Sequence, residues 1–169
     1  MVTVFLSLGG NARTKNRDME NMLGMLSTVF SPPIKKSRRM ETEPVEVIDK
    51  QEWYLNCVVS GGYEGSAFDL LEECRKIEDE LGRVRPYRHC SRTADIDILL
   101  FGDVIVREND LCIPHPGLFR RRFCLEGIKE IAPGLILPGK GISVSDYYES
   151  MDETIKEQKI NFIYPGQAG

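Results

Sequence analysis

Apolar and polar residues alternate over the first eight positions, with Val2, Val4, Leu6 and Leu8 on one side and Thr3, Phe5 and Ser7 on the other. Strand side chains point to opposite faces in turn, so this segment predicts a strand buried on at least one face, ended by the turn residues Gly9-Gly10-Asn11. The spacing then becomes helical. From Asp18 to Phe30 the apolar positions are Met19, Met22, Leu23, Leu26, Val29 and Phe30, and Pro32-Pro33 closes the element. Strands are predicted over Ile34 to Thr42 and Tyr54 to Tyr63, the second with Cys57, Val58 and Val59 at its middle and Gly61-Gly62 as a bulge or weak point. Between them Glu43 to Trp53 reads as a long loop. Ser66 and Asp69 resemble a capping pair for a helix whose stripe is Ala67, Leu70, Leu71, Cys74, Ile77 and Leu81, with Gly82 as its stop. Arg83 to Arg92 has no apolar period. Asp95 to Phe101 alternates as a strand, Gly102-Asp103 turns it, and Val104-Ile105-Val106 is expected to return as its hairpin partner. Helices are expected around Phe123 to Glu130 and Ser143 to Met151.

The order β-α-β-β-α-β matches the split β-α-β arrangement of ferredoxin-like α+β folds, in which two helices cover one face of an antiparallel sheet and leave the other available. The extra hairpin and the carboxy-terminal helices would decorate it. With no repeat, low-complexity block or long linker, one domain over residues 1–165 is expected, with 166–169 as a frayed tail. The two long loops exceed what connection alone requires, and such loops often bind ligands.

Composition narrows the function classes. At 169 residues and 41% hydrophobic, the chain is long enough to bury a core without disulfides or a structural metal. The net charge of −4 has the wrong sign for a general nucleic-acid or anionic-membrane binder, so any phosphate-binding surface has to be a local patch. Cys57, Cys74, Cys90, Cys112 and Cys124 are odd in number and contain no C-x-x-C pair, which suits a reducing cytoplasm. No apolar run approaches the ~18 residues of a membrane span. A soluble cytoplasmic protein is expected.

Candidate chemistry concentrates around Asp95 and Asp97. On a strand these two carboxylates project to one face about 7 Å apart, with Ile96, Ile98 and Leu100 to the other. The pair reads either as an ordinary polar strand face or as a rigid platform for Mg²⁺, which completes its shell with waters and substrate phosphates. Just before it, Arg83, Arg85, Arg88 and Arg92 place four guanidinium groups in ten residues free of acids. Such a loop is either a solvated surface or, beside two carboxylates, a layout for a metal-bound polyphosphate. Arg120-Arg121-Arg122 follows Pro114-His115-Pro116, where His115 would donate to a phosphate or cap local backbone. Neither G-x-x-x-x-G-K-[ST] nor G-x-G-x-x-G occurs, so a bound nucleotide would be held by metals and side chains. Tyr54 and Asn56 share a strand face, and with Phe123 they would either read a flat heterocycle or pack in the core.

The segment R-H-C-S-R-T-A-D-I-D-I-L-L-F-G-D, Arg88 to Asp103, resembles the signature of the 6-hydroxymethyl-7,8-dihydropterin pyrophosphokinase family. Leu8-Gly9-Gly10-Asn11, Glu41-Thr42-Glu43-Pro44, Tyr54-Leu55-Asn56, Glu78 through Gly82-Arg83, Pro114-His115, Arg121 with Phe123, and Glu130-Ile131-Ala132-Pro133 look like further family landmarks in the right order, over roughly residues 2–138. The resemblance implies a ferredoxin-like fold and transfer of the pyrophosphoryl group of ATP to the pterin hydroxymethyl, with release of AMP. It implies that Asp95 and Asp97 hold two Mg²⁺ ions and act with Arg83 and Arg92 in catalysis. It places Glu78, Arg85, Arg92, Ile98, His115 and Arg121 at ATP, and Thr42, Pro44, Val45, Tyr54, Asn56 and Phe123 around the pterin, the ring between Tyr54 and Phe123. The partners so implied are ATP and the pterin, with no nucleic acid and no membrane, and a monomer is expected. A non-catalytic module binding RNA or nucleotide on an open sheet stands as the alternative, although no RNA-reading segment of the K/R-G-F/Y-G/A-F-V-x-F/Y kind occurs. A family member that has lost activity is a third reading.

Overall fold

The alternation at the amino terminus forms the strand it predicts, β1 (Val2–Gly10), and the helical spacing that follows forms α1 (Lys15–Val29). In a computed structural model that describes residues 1–44, 52–82 and 94–164, the chain continues through β2 (Ser31–Lys36), β3 (Arg39–Thr42), β4 (Tyr54–Tyr63), α2 (Ala67–Glu80) and β5 (Asp95–Phe101). Then come a short pair, β6 (Val106–Arg107) and β7 (Cys112–Ile113), a 3₁₀ turn (Pro116–Phe119), α3 (Arg122–Ile131), α4 (Val144–Ser150), α5 (Glu153–Lys156) and β8 (Ile160–Ile163). The sheet order is β5-β1-β4-β3-β8, with β2 joining β4 beside β3, and every pairing is antiparallel. Without β8 this is the ferredoxin-like order, in which β4 lies between the two parallel arms of the first β-α-β unit.

Local chemistry accounts for the element ends. Ser66 and Asp69 form the capping box: the Ser66 hydroxyl accepts from the Asp69 N–H at 3.1 Å, and the Asp69 carboxylate accepts from the Ser66 N–H at 2.8 Å. Gly82, at φ 73°, follows the helix end. The single strand expected over Ile34 to Thr42 is two strands. Buried Ser37 interrupts it, because its hydroxyl accepts the Val58 N–H at 3.0 Å in place of a backbone carbonyl and donates to the Arg38 carbonyl at 2.8 Å. Gly61-Gly62 is not a bulge against β1, where the register runs through without a shift; the irregularity facing β2 lies in β2 itself, between Ser31 and Lys35. A Cβ on Gly61 would come within 2.7 Å of the Phe30 ring, so the glycine makes room for the residue that ends α1.

Two apolar clusters lie on opposite faces of the sheet. Val4, Leu6, Leu8, Leu55, Cys57, Val59, Ile96 and Ile98 pack against α1 and α2. Phe5, Val58, Leu99 and Leu100 pack on the other face with Leu118, Leu125 and Ile128. The expectation that this second face stays open therefore fails over half its length, because α3 covers it. Leu100 also lies on that face, not with Ile96 and Ile98. The β1–β5 register shifts between Phe5 and Leu6, which steps over Leu99 and resets the alternation. The hairpin expected between β5 and Val104-Ile105-Val106 does not form, since β6 pairs with β7. Of the described cysteines, Cys57, Cys74 and Cys124 are buried and Cys112 is exposed, none in a disulfide. The expected frayed tail at 166–169 lies outside the described residues.

Candidate active site

Strand register assembles a polar patch where α3 stops covering the sheet. Asp95 lies opposite Gly9, Gly9 opposite Asn56, and Asn56 opposite Met40, a row across four strands. One pleat further on, Asp97 lies opposite Ser7, and at the other end Tyr54 lies opposite Thr42. Residues opposite one another in antiparallel strands share a face, so these side chains converge on the face away from α1 and α2. They line a cavity of about 550 Å³, bounded also by His115, Gly117, Arg121, Phe123 and the segment from Glu157 to Ile160.

On one bank sits the amide of Asn56, whose side chain is 4% exposed and whose Nδ2 donates to the Thr42 hydroxyl at 2.7 Å. Its Oδ1 lies over Gly9, where a Cβ would approach to 2.9 Å, so a side chain at position 9 would displace the amide. Asn56 is thereby a clamped amide in the wall of the cavity that Phe123 also lines.

The opposite bank is charged. The Asp97 carboxylate faces Arg121 Nη1 at 3.5 Å and His115 Nε2 at 3.6 Å. His115 both caps backbone and faces the site. The Gly117 N–H donates to its Nδ1 at 2.9 Å, so the neutral ring carries its proton on Nε2, the nitrogen turned toward Asp97. The His115 N–H donates to the Leu99 carbonyl at 3.0 Å, which ties the 3₁₀ turn to β5. Burial pushes the Cys74 thiol up to about 12, reinforced by the negative charge of Asp97, and burial pushes Cys124 up to about 12 as well. Thiols raised in this way stay protonated and unreactive at neutral pH.

Two hard carboxylates on a rigid strand suit a divalent cation that takes its other ligands from substrate oxygens and water. Among the described residues no group of three or more His, Cys, Asp or Glu is placed to enclose a metal.

Of the residues singled out in the sequence, Thr42, Tyr54, Asn56, Asp95, Asp97, His115, Arg121 and Phe123 meet in this one cavity. Pro44 follows Glu43 at its edge and does not line it. Glu78 and Ile98 are on the other side of β5. Glu78 is buried and its carboxylate accepts the Ile96 N–H at 2.8 Å, while the alternation that exposes Asp97 sends Ile98 into the α1/α2 core. Val45, Arg83, Arg85 and Arg92 lie outside the described residues, as does Arg88. Sequence reasoning missed Ser7, the hydrogen bond from Gly117, and the segment Glu157 to Ile160. Ser7 is a polar break in an apolar strand, whereas the last segment carries no motif.

The model of the 7,8-dihydro-6-hydroxymethylpterin-pyrophosphokinase (HPPK) family matches residues 5–133, more than half of the chain. The chain belongs to this family. It is 34% identical over 143 residues to 2-amino-4-hydroxy-6-hydroxymethyldihydropteridine pyrophosphokinase of Haemophilus influenzae, an alignment covering 84% of this chain and 89% of that one. The protein of the same name in Bacillus subtilis is 34% identical over 128 residues, 75% of this chain and 76% of that one. A crystal structure of Plasmodium falciparum HPPK-DHPS superposes with TM-score 0.71 at 17% identity, covering 97% of this chain and 47% of that one, and so supports the fold. The chain thus spans most of the bacterial HPPK relatives and about half of the solved polypeptide. The matched segment contains every predicted site residue and stops before Glu157 to Ile160, which line the same cavity.

Proposed function

We propose that this chain transfers the pyrophosphoryl group of ATP to 6-hydroxymethyl-7,8-dihydropterin, giving AMP and the pterin diphosphate in folate biosynthesis. It is an ATP-dependent diphosphokinase of the HPPK family. The observation that carries this reading is the juxtaposition in one cavity of a carboxylate pair with Arg121 and His115 on one bank and a clamped amide with Tyr54 and Phe123 on the other. Those two banks suit a polyphosphate and a flat, hydrogen-bonding heterocycle respectively.

The residues divide the work by position. Asn56, held by Thr42 over Gly9, orients the pterin edge, and Tyr54 and Phe123 supply apolar surface to its ring. Asp95 and Asp97 are the residues that would hold Mg²⁺, two ions by the family resemblance, and the metal would supply charge neutralisation at the phosphates. Arg121 donates to phosphate oxygens, and His115 adds the Nε2 proton that Gly117 fixes in place. The hydroxymethyl oxygen attacks the β-phosphorus and gives up its proton to solvent, the bond from that phosphorus to the oxygen bridging it to the α-phosphate breaks, and AMP leaves with that oxygen. Such a displacement depends on alignment and charge stabilisation more than on a covalent protein intermediate. Arg83, Arg85 and Arg92 belong to the same reading as cations that reach the triphosphate. The enzyme works as a cytoplasmic monomer on small molecules; none of the described helices is long and apolar enough to cross a membrane. The RNA-binding alternative is disfavoured because half of the sheet face it needs lies under α3 and the rest presents Asp95 and Asp97.

The test is to incubate the protein with ATP, Mg²⁺ and 6-hydroxymethyl-7,8-dihydropterin and to separate the nucleotides. AMP formed in step with a pterin diphosphate is the expected result. ADP would mean single phosphoryl transfer, and unchanged ATP would mean a binding protein or an inactive relative.

A further inference from the structure

Arg121 is held on both sides by one side chain from outside the family's matched segment. Gln158 Oε1 accepts the Arg122 N–H at 3.0 Å, and Gln158 Nε2 donates to the Arg120 carbonyl at 2.7 Å. The amide therefore brackets the residue whose guanidinium faces Asp97. Gln158 is itself anchored, since the Arg122 guanidinium donates to the carbonyls of Lys156 and Gln158 at 3.0 and 3.1 Å and to the Tyr148 hydroxyl at 3.1 Å. Beyond it, β8 adds to the sheet edge with Ile160 opposite Thr42, and Lys159 Nζ lies 3.6 Å from the Glu43 carboxylate. The strap thus runs from the Arg121 bank to the Asn56 bank and walls the cavity between them.

We infer that Gln158 is a positioning residue for Arg121, so that the strap after residue 133 belongs to the active site and is more than a surface addition; this rests on the polyphosphate-binding reading above. The Arg121 side chain is half exposed and its contact with Asp97 is long, so packing alone does not fix it. Its backbone does: the Arg121 N–H donates to the Gly117 carbonyl at 2.9 Å, and the flanking peptide groups are pinned by the Gln158 amide. A neutral amide suits this task because it offers one acceptor and one donor at opposite ends and adds no charge beside the phosphate-binding cation.

The experiment uses the full chain as wild type, Gln158→Met, Arg121→Ala and the double variant, with the α,β-methylene analogue of ATP plus Mg²⁺ as the binding probe. Gln158→Met keeps the side chain's length and removes both hydrogen bonds. It should weaken analogue binding by about 10-fold, the scale of losing an orienting partner, and leave the pterin KM within about 2-fold. In the Arg121→Ala background the same substitution should add nothing, because its effect travels through Arg121. Equal binding by wild type and Gln158→Met, or a full additional loss in the double variant, would overturn the assignment. If Gln158→Met does not fold, the smaller Gln158→Ala removes the same two hydrogen bonds without adding charge and should show a loss that again vanishes without Arg121; a loss that persists would overturn the assignment. Wild-type protein that binds the analogue but forms no AMP with the pterin would refute the reaction assigned above while leaving this binding test intact.

Discussion

One sheet face carries two different stretches, and the contrast locates the site. Away from α1 and α2, β1 presents Phe5 and then Ser7 and Gly9, β4 presents Val58 and then Asn56, and β5 presents Leu99 and then Asp97 and Asp95. The strands are the same, and the alternation is unbroken from Phe5 to Gly9, from Val58 to Asn56 and from Leu99 to Asp95. The apolar stretch lies under α3, with Phe5, Val58 and Leu99 between 0% and 4% exposed. The polar stretch begins beyond the N-terminal end of α3, at Arg122, and opens into the cavity. Continuing the apolar pattern would have extended the core, so a change of chemistry along one face without a change of period marks ligand-binding surface.

Substitutions on the two stretches should therefore fail in different ways. The largest effect is expected for Asp97→Ala, which should lower kcat/KM on the order of 10³-fold while the melting temperature changes little, as steady-state kinetics beside thermal melts will show. One residue pair along the same strand and face, Leu99→Ala should do the reverse, costing about 2–5 kcal/mol in denaturant unfolding with kcat per folded molecule retained. Gly9→Ala probes the boundary. Its Cβ would press on Asn56 Oδ1, so the pterin KM should rise about 10-fold while binding of the ATP analogue is unchanged.

The smallest effect should come from α2, away from that face altogether. The Ser66 hydroxyl and backbone N–H hold the Asp69 carboxyl below its ordinary value of 3.8. A carboxylate with a depressed folded-state pKa contributes stability above its unfolded pKa and loses it as pH falls through the folded one. The small excess in melting temperature of wild type over Asp69→Asn at neutral pH should vanish in acid below that range, with turnover untouched.

Much of this contrast was legible in the residues. Period-two spacing carried β1, β4 and β5, and it put Asp95 with Asp97 and Tyr54 with Asn56 on shared faces, because alternation is local. What covers a face is not local. Nothing in the spacing of Phe123 to Glu130 says that α3 lies against Phe5 and Val58, so the sheet face was expected to be open. The bulge that turns Leu100 over depends on register between β1 and β5, and Ser37 divides a strand by a side-chain hydrogen bond that composition does not display. The strap was illegible for a different reason: Ile160 to Ile163 is four residues long, too short for a period, and the role of Gln158 rests on contacts 36 and 38 residues away in the chain. His115 had two readings, a cap or a phosphate donor; its Nδ1 caps the backbone at Gly117, and its Nε2 is turned toward Asp97.

In this reading the polar stretch, with both its banks, is the place of reaction. A crystal structure of the full chain with Mg²⁺, the α,β-methylene analogue of ATP and 6-hydroxymethylpterin tests it most directly. The pterin is expected against Asn56 and Phe123, with the phosphates beside Asp95, Asp97, His115 and Arg121. Both ligands bound elsewhere, or a phosphate chain that avoids Asp95 and Asp97, would contradict it.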